Sequence, residues 1–136
     1  MSKILHIEDD PVMLRALSKI LQKNNYEVIS VSNGKKAIET LENQKDFDLI
    51  LCNIVLTYHN GLEILSKIRT DSELRHIPVI IISSNGNEDI IRECLSVGAD
   101  DFIKKPIIAG ELIVRIKKLI NRGSLNNNHF VTKKKK

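Results

Sequence analysis

Four short polar groups sit at the ends of apolar runs in this 136-residue chain: Glu8-Asp9-Asp10 after Lys3–Ile7, Asn53 after Asp48–Cys52, Ser83-Ser84 after Pro78–Ile82, and Lys104-Lys105-Pro106 after Asp101–Ile103. Three consecutive acids repel one another, by roughly 4 kcal/mol at about 4 Å in a surface-like dielectric. Such a cluster persists when it is solvated, when one acid caps a helix, or when a hard cation such as Mg²⁺ takes its oxygens. A serine hydroxyl after a strand donates to an anion or closes a turn. Lys105 offers a point charge to a phosphoryl oxygen, and its bond to Pro106 is a candidate for the cis form. Singly, each group has an ordinary explanation. Acid, carboxamide, hydroxyl and ammonium at four strand ends together suggest a site for a phosphoryl group and a cation.

The elements that would position them follow from hydrophobic periodicity. Lys3–Ile7, Tyr26–Val31, Asp48–Cys52, Pro78–Ile82 and Asp101–Ile103 read as strands. Pro11–Asn24, Asn33 to about Gln44, Gly61–Thr70, Glu88–Val97 and Ile108–Ile120 read as helices, with Asp10 capping the first and Gly98 stopping the fourth. Strands apolar on both faces, alternating with helices, predict an α/β fold: a doubly wound, five-stranded parallel sheet. Five units of this size suit the flavodoxin-like (βα)5 order 2-1-3-4-5. In such sheets the functional crevice lies at the carboxyl ends of the strands, where the four polar groups fall. Asn121–Asn128 reads as an unstructured exit. The expected division is a domain over 1–121 and a flexible basic tail, linker stub or expression scar over 122–136.

Composition narrows the function classes. Hydrophobic residues make up 42% and charged residues 28%, as in a folded soluble domain. No apolar stretch approaches a membrane span, and the N-terminus does not read as a secretory signal. Cys52 and Cys94 lie in apolar segments and read as buried thiols of a reducing compartment, with cytoplasm the default. All 17 acidic residues lie at or before Glu111, and taking Arg122 and the four terminal lysines from the net +4 leaves residues 1–120 near −1. The globular part is therefore no basic nucleic-acid footprint.

Four segments resemble the response-regulator receiver family in order and spacing over about residues 2–120. They are Ile4-Leu5-His6-Ile7-Glu8-Asp9-Asp10-Pro11, Asp48–Asn53 with Gly61 eight residues later, Ile77-Pro78-Val79-Ile80 running to Ser83-Ser84, and Gly98–Pro106. The resemblance implies a protein-binding signalling switch of two-component phosphorelay, not an enzyme in its own right. It accepts a phosphoryl group from a histidine kinase or phosphotransfer protein and acts on a downstream effector domain or protein. It implies Mg²⁺ held by Glu8, Asp9, residue 53 and the carbonyl of Val55. It assigns Ser83 and Lys105 to the phosphoryl oxygens and Phe102 to the aromatic switch. Thr57 and Asn60 depart from the family pattern, which often has proline and an acid there.

The serious departure is Asn53, which stands where the phosphoryl-accepting aspartate is expected. A carboxamide is neutral and a poor nucleophile, so the acyl phosphate should not form. The metal site also loses one negative charge, weakening Mg²⁺, while the amide NH₂ is free to hydrogen-bond Glu8 or Asp9. A natural pseudo-receiver and an engineered Asp→Asn variant both fit. Arg92, Asp100, Asp101, Lys104, Glu111, Arg115 and Lys117 resemble a salt-bridged dimer face, giving an expectation of weak homodimerisation, though solvated surface charge explains them equally. The alternative is a flavodoxin-like cofactor binder. An acidic loop after the first strand and 4% aromatics argue against it.

Overall fold

A computed structural model describes the backbone of residues 1–135 and the side chains of residues 1–122. Its elements are β1 Lys3–Ile7, α1 Pro11–Lys23, β2 Glu27–Val31, α2 Gly34–Asn43, β3 Leu49–Asn53, α3 Gly61–Thr70, β4 Val79–Ser83, α4 Glu88–Val97, β5 Asp101–Lys104 and α5 Ala109–Lys135. The five strands form one parallel sheet in the order β2-β1-β3-β4-β5, as the alternation predicts.

The central strands are buried on both faces because β3 and β4 are apolar at every position but the last. β3 and β4 are buried throughout. Alternation along each strand sends Ile4, Leu49, Leu51 and Ile80 to the layer containing Leu17 of α1 and Leu112 of α5. Leu5, Ile7, Ile50 and Ile81 go to the other layer, with Leu41 of α2, Leu65 of α3 and Cys94 of α4. Each such side chain contributes about 1.5–3 kcal/mol by leaving water. Cys52 and Cys94 are both buried and free, and burial raises the pKa of the Cys52 thiol, reinforced by the charge of Glu8.

Short polar side chains start the helices. Asp10 accepts from the amide of Val12, Asn33 from Lys36, Asn60 from Glu63 and Asn87 from Ile90, each satisfying an amide the helix leaves unpaired. Gly98, at φ 122°, ends α4 in a conformation that disfavours other residues.

Three strand ends and one helix end differ from expectation. β3, β4 and β5 each run one residue past the apolar run, because backbone pairing continues where side-chain polarity changes: Asn53 pairs with Ile82, and Ser83 with Lys104. Asn53 and Ser83 are thus the last residues of strands, whereas Glu8 and Lys105 are the first residues after them. α5 runs to Lys135, through the exit expected over Asn121–Asn128. That stretch has no proline, and a helical glycine such as Gly123 costs only about 1 kcal/mol. The expected tail over 122–136 otherwise falls outside the described side chains.

A clamp that the sequence did not announce closes the amino-terminal end of the sheet. The Arg69 guanidinium donates to the carbonyls of Gly98 (2.8 Å), Ile77 (2.8 Å) and Arg75 (3.1 Å), and to Asp100 Oδ2 (2.7 Å). The same Asp100 oxygen accepts from the Val79 amide at 2.8 Å. One planar cation thereby joins α3, the turn before β4 and the turn before β5. Arg69→Ala should cost about 2–3 kcal/mol, measured as a lower urea midpoint at unchanged slope. An unshifted midpoint would show that the clamp carries no weight.

Candidate functional site

The carboxyl ends of β1, β3 and β5 meet through one buried carboxylate. Glu8, the residue after β1, is 1% exposed. A charge so placed must be paired and hydrogen-bonded to be tolerated. Its Oε1 accepts from Lys105 Nζ at 2.9 Å, and its Oε2 accepts from Asn53 Nδ2 at 3.1 Å and from the Asp10 amide at 3.3 Å. Lys105 follows β5 and precedes Pro106 through a cis peptide bond. Asn53 Nδ2 also donates to the carbonyl of Val55 at 2.9 Å. One carboxamide nitrogen therefore bridges two oxygens, one from a carboxylate and one from the backbone.

Asp9 is less buried and is held differently. Thr57 donates its hydroxyl to Asp9 Oδ2 at 3.0 Å. The Thr57 carbonyl accepts from the amides of Gly34 and His59, both at 3.0 Å, fixing the β3–α3 loop to the start of α2. Sequence reading had marked Thr57 only as a departure in that loop. A hydroxyl four residues after Asn53, beside an acid pair, was the available signal. Gly61 is required where it stands: a Cβ there would lie 2.6 Å from the Asn53 carbonyl oxygen. The glycine lets α3 begin directly against the end of β3.

Ser83 closes β4 and is 1% exposed. Its hydroxyl accepts from the Asn85 amide at 3.1 Å, a turn interaction, and its carbonyl accepts from the Lys105 amide at 2.8 Å. With Ile54, Val55, Leu62, Asn85 and Ile90 it lines a cleft of about 330 Å³ beside Asn53. Phe102 is half-buried against the core layer containing Ile81 and Cys94. His6, two residues before Glu8, is buried, and neither ring nitrogen has a hydrogen-bond partner among the described residues. Burial, and secondarily the Lys105 charge, lower its pKa to about 4, so the ring is neutral at neutral pH.

Glu8, Asn53, Val55 and Lys105 are thus joined in one network, with Asp9 and Thr57 at its edge and Ser83 across the cleft. The expected dimer-face residues divide. Arg115 pairs with Asp101 at 2.8 Å and with Glu111 at 2.9 Å, and Arg92 pairs with Glu88 at 3.0 Å. The bond to Asp101, foremost, raises the pKa of Arg115. Lys104 is exposed. Asp100, which precedes β5, pairs with Arg69 at 2.7 Å and with Arg122 of α5 at 3.7 Å.

The donor set fits Mg²⁺ poorly as arranged. The cation would need Glu8, Asp9 and the Val55 carbonyl, but the Asn53 NH₂ group already occupies the space between Glu8 and Val55 and adds no charge. Among the described residues no group of three or more His, Cys, Asp or Glu is placed to hold a metal. No described helix is long and apolar enough to cross a membrane.

Comparison with known proteins gives one answer. The family model described as the response regulator receiver domain matches residues 4–117. Two-component response regulator ORR3 of rice (Oryza sativa) is 32% identical over 104 residues, which cover 76% of this chain and 79% of that protein. The two-component response regulator-like PRR73 of rice is 40% identical over 111 residues, 81% of this chain but 14% of its own length. A CheY-like receiver domain protein from Methanospirillum hungatei superposes with a TM-score of 0.85 at 27% identity, covering 93% of this chain and 98% of that one. The receiver domain of a Pseudomonas aeruginosa sensor histidine kinase, described with a magnesium ion coordinated in its active site cleft, gives a TM-score of 0.81 at 28% identity over 88% of this chain and 98% of that one.

If Lys105 is what balances Glu8, Lys105→Met should destabilise the fold by about 2–4 kcal/mol. Adding Glu8→Gln to it should recover part of the loss. Urea melts of the three proteins decide this, and a Lys105→Met protein as stable as the parent would contradict it.

Proposed function

The chain belongs to the response regulator receiver domain family, and on that premise we propose that it is a signalling module of a two-component pathway that works through protein contacts, without a covalent phosphoryl step. The observation that carries this reading is the Asn53 carboxamide, donating to Glu8 and to the Val55 carbonyl from the end of β3. Residue 53 stands where the family's resemblance puts the acceptor aspartate. An amide oxygen there carries no full charge, and its lone pairs are delocalised into the C–N bond, so attack on phosphorus is not supported.

The rest of the site agrees with a closed, unphosphorylated arrangement. Lys105, the cation assigned to a phosphoryl oxygen, is engaged with Glu8. The Ser83 hydroxyl is engaged in a turn, and Phe102 packs against the core. Mg²⁺ is not resident in this reading, because Asn53 supplies a donor where the ion would sit; one carboxylate fewer weakens its binding further. Receivers switch by shifting populations between two conformations, and a ligand or partner moves that balance only by its differential affinity. Here a partner protein would supply that difference instead of a phosphoryl group.

The partners of this reading are a histidine kinase or phosphotransfer protein upstream and an effector domain or protein downstream, in the cytoplasm. The face made by Arg92, Asp100, Asp101, Lys104, Glu111 and Arg115 is the candidate surface for weak homodimerisation, with all of these charges except Lys104 paired within the protomer. The flavodoxin-like cofactor reading gains nothing from the site, where Glu8, Asp9 and Asp10 follow β1 and repel a phosphate.

Incubation with acetyl phosphate and Mg²⁺, read by intact-protein mass spectrometry, tests the reading. The chain as given should gain no phosphoryl adduct, and Asn53→Asp should gain one. A stoichiometric adduct on the unaltered chain would overturn it.

A further inference from the structure

The site described above occupies the carboxyl ends of the strands; the amino ends of β4 and β5 border a basic recess. Pro78 and Asp100 immediately precede β4 and β5, and a recess of about 240 Å³ opens beside them. Arg69, Arg75, His76 and Arg122 wall it, over Pro78 and Leu119. Asp100 is the single acid in the lining, so three arginines against one aspartate leave a formal +2 with His76 neutral. That is a local reversal of sign in a domain whose first 120 residues sum to about −1.

The three arginines are not equivalent. Arg69 is consumed by the fold: its guanidinium serves three carbonyls, and Asp100 Oδ2 cancels its charge at 2.7 Å. Arg75 and His76 are exposed, and among the described residues neither is in an ion pair. Arg122, with 58% of its side chain exposed, is in a long ion pair with Asp100 Oδ1 at 3.7 Å and makes no hydrogen bond to it. Neither Arg75 nor Arg122 donates a side-chain hydrogen bond within the described fold. Two guanidinium forks with their donors unspent therefore face one recess. Pro78 and Leu119 supply the apolar part of its lining, and Leu119 is 7% exposed.

Arginine forks match carboxylate and phosphate oxygens through paired charge-assisted hydrogen bonds, and two forks facing one recess suit the several oxygens of a phosphate. The recess is smaller than the roughly 300–1,000 Å³ of typical small-molecule pockets, which favours a compact dianion over a whole nucleotide. We propose that this recess binds a phosphate-monoester or pyrophosphate group, held by Arg75 and Arg122 with His76 at its rim. The proposal does not rest on the reading of the Asn53 site, which lies at the other end of the sheet.

Calorimetric titration of the full chain with sodium pyrophosphate at fixed ionic strength tests it. Saturable one-to-one binding is expected. Arg75→Ala and Arg122→Ala should each weaken it roughly tenfold or more, with unchanged circular dichroism because both side chains are exposed. Changing Lys133, Lys134, Lys135 and Lys136 to Gln should leave it intact. Absence of saturable binding, indifference to both arginine variants, or loss of binding in the four-lysine variant would overturn the proposal. Phosphatidylcholine vesicles containing phosphatidic acid separate the two sources of such a group: competition with pyrophosphate supports a lipid headgroup at this recess, and lack of competition supports a free phosphorylated ligand there.

Discussion

A carboxylate buried at the end of β1 governs the organisation of this site. Glu8 is almost fully withdrawn from water, and an isolated charge there would cost several kcal/mol even after relaxation. Its counter-charge comes from Lys105, 97 residues away, and its second partner from Asn53, 45 residues away. Neither is a local contact. Both depend on a sheet that places β3 beside β1 and carries β5 two strands further in the same direction. The parallel order and the charge balance of Glu8 are therefore one constraint seen at two scales: the sheet assembles the network, and the network favours that arrangement of strand ends.

Within the network Asn53 does part of the work of a cation. An NH₂ group carries two donors, and here one nitrogen serves a carboxylate oxygen and a backbone carbonyl. Those are the oxygens a hard metal ion would otherwise share. Thr57 relieves the other acid in the same way, by donating to Asp9. The site is thus satisfied by neutral donors and one lysine. The chain belongs to the receiver family, and on the function proposed above this arrangement serves a module that signals through its partners' affinities.

Much of this was legible in the sequence because the signals were local. Unbroken apolar runs such as Leu49–Cys52 and Val79–Ile82 are buried on both sheet faces and sit where periodicity put them. Asp10 and Gly98 bound their helices as cap chemistry requires. The convergence of Glu8, Asn53 and Lys105 followed from strand order alone. What was missed depends on geometry between distant segments. Arg69 looks like any surface arginine near a helix end, and only the turns before β4 and β5 show that its fork is filled. Asp100 reads as one more surface charge beside Asp101, and only the fold shows that it accepts from the Arg69 fork and the Val79 amide. Polarity suggested that β3 ended at Cys52, whereas the ladder carries Asn53. The end of α5 was placed by the asparagines, which weaken a helix without breaking it.

The most direct test concerns the hydrogen atoms of one side chain. In ¹⁵N–¹H spectra of the full chain, the Asn53 carboxamide should appear without any divalent ion as a well-dispersed, exchange-protected NH₂ pair. It should stay there when Mg²⁺ is raised to millimolar levels, and collapse towards the position of free asparagine in a Glu8→Gln variant. An Asn53 amide that is already unprotected in the metal-free protein, or that is displaced by modest Mg²⁺, would contradict the claim that this nitrogen holds the site closed.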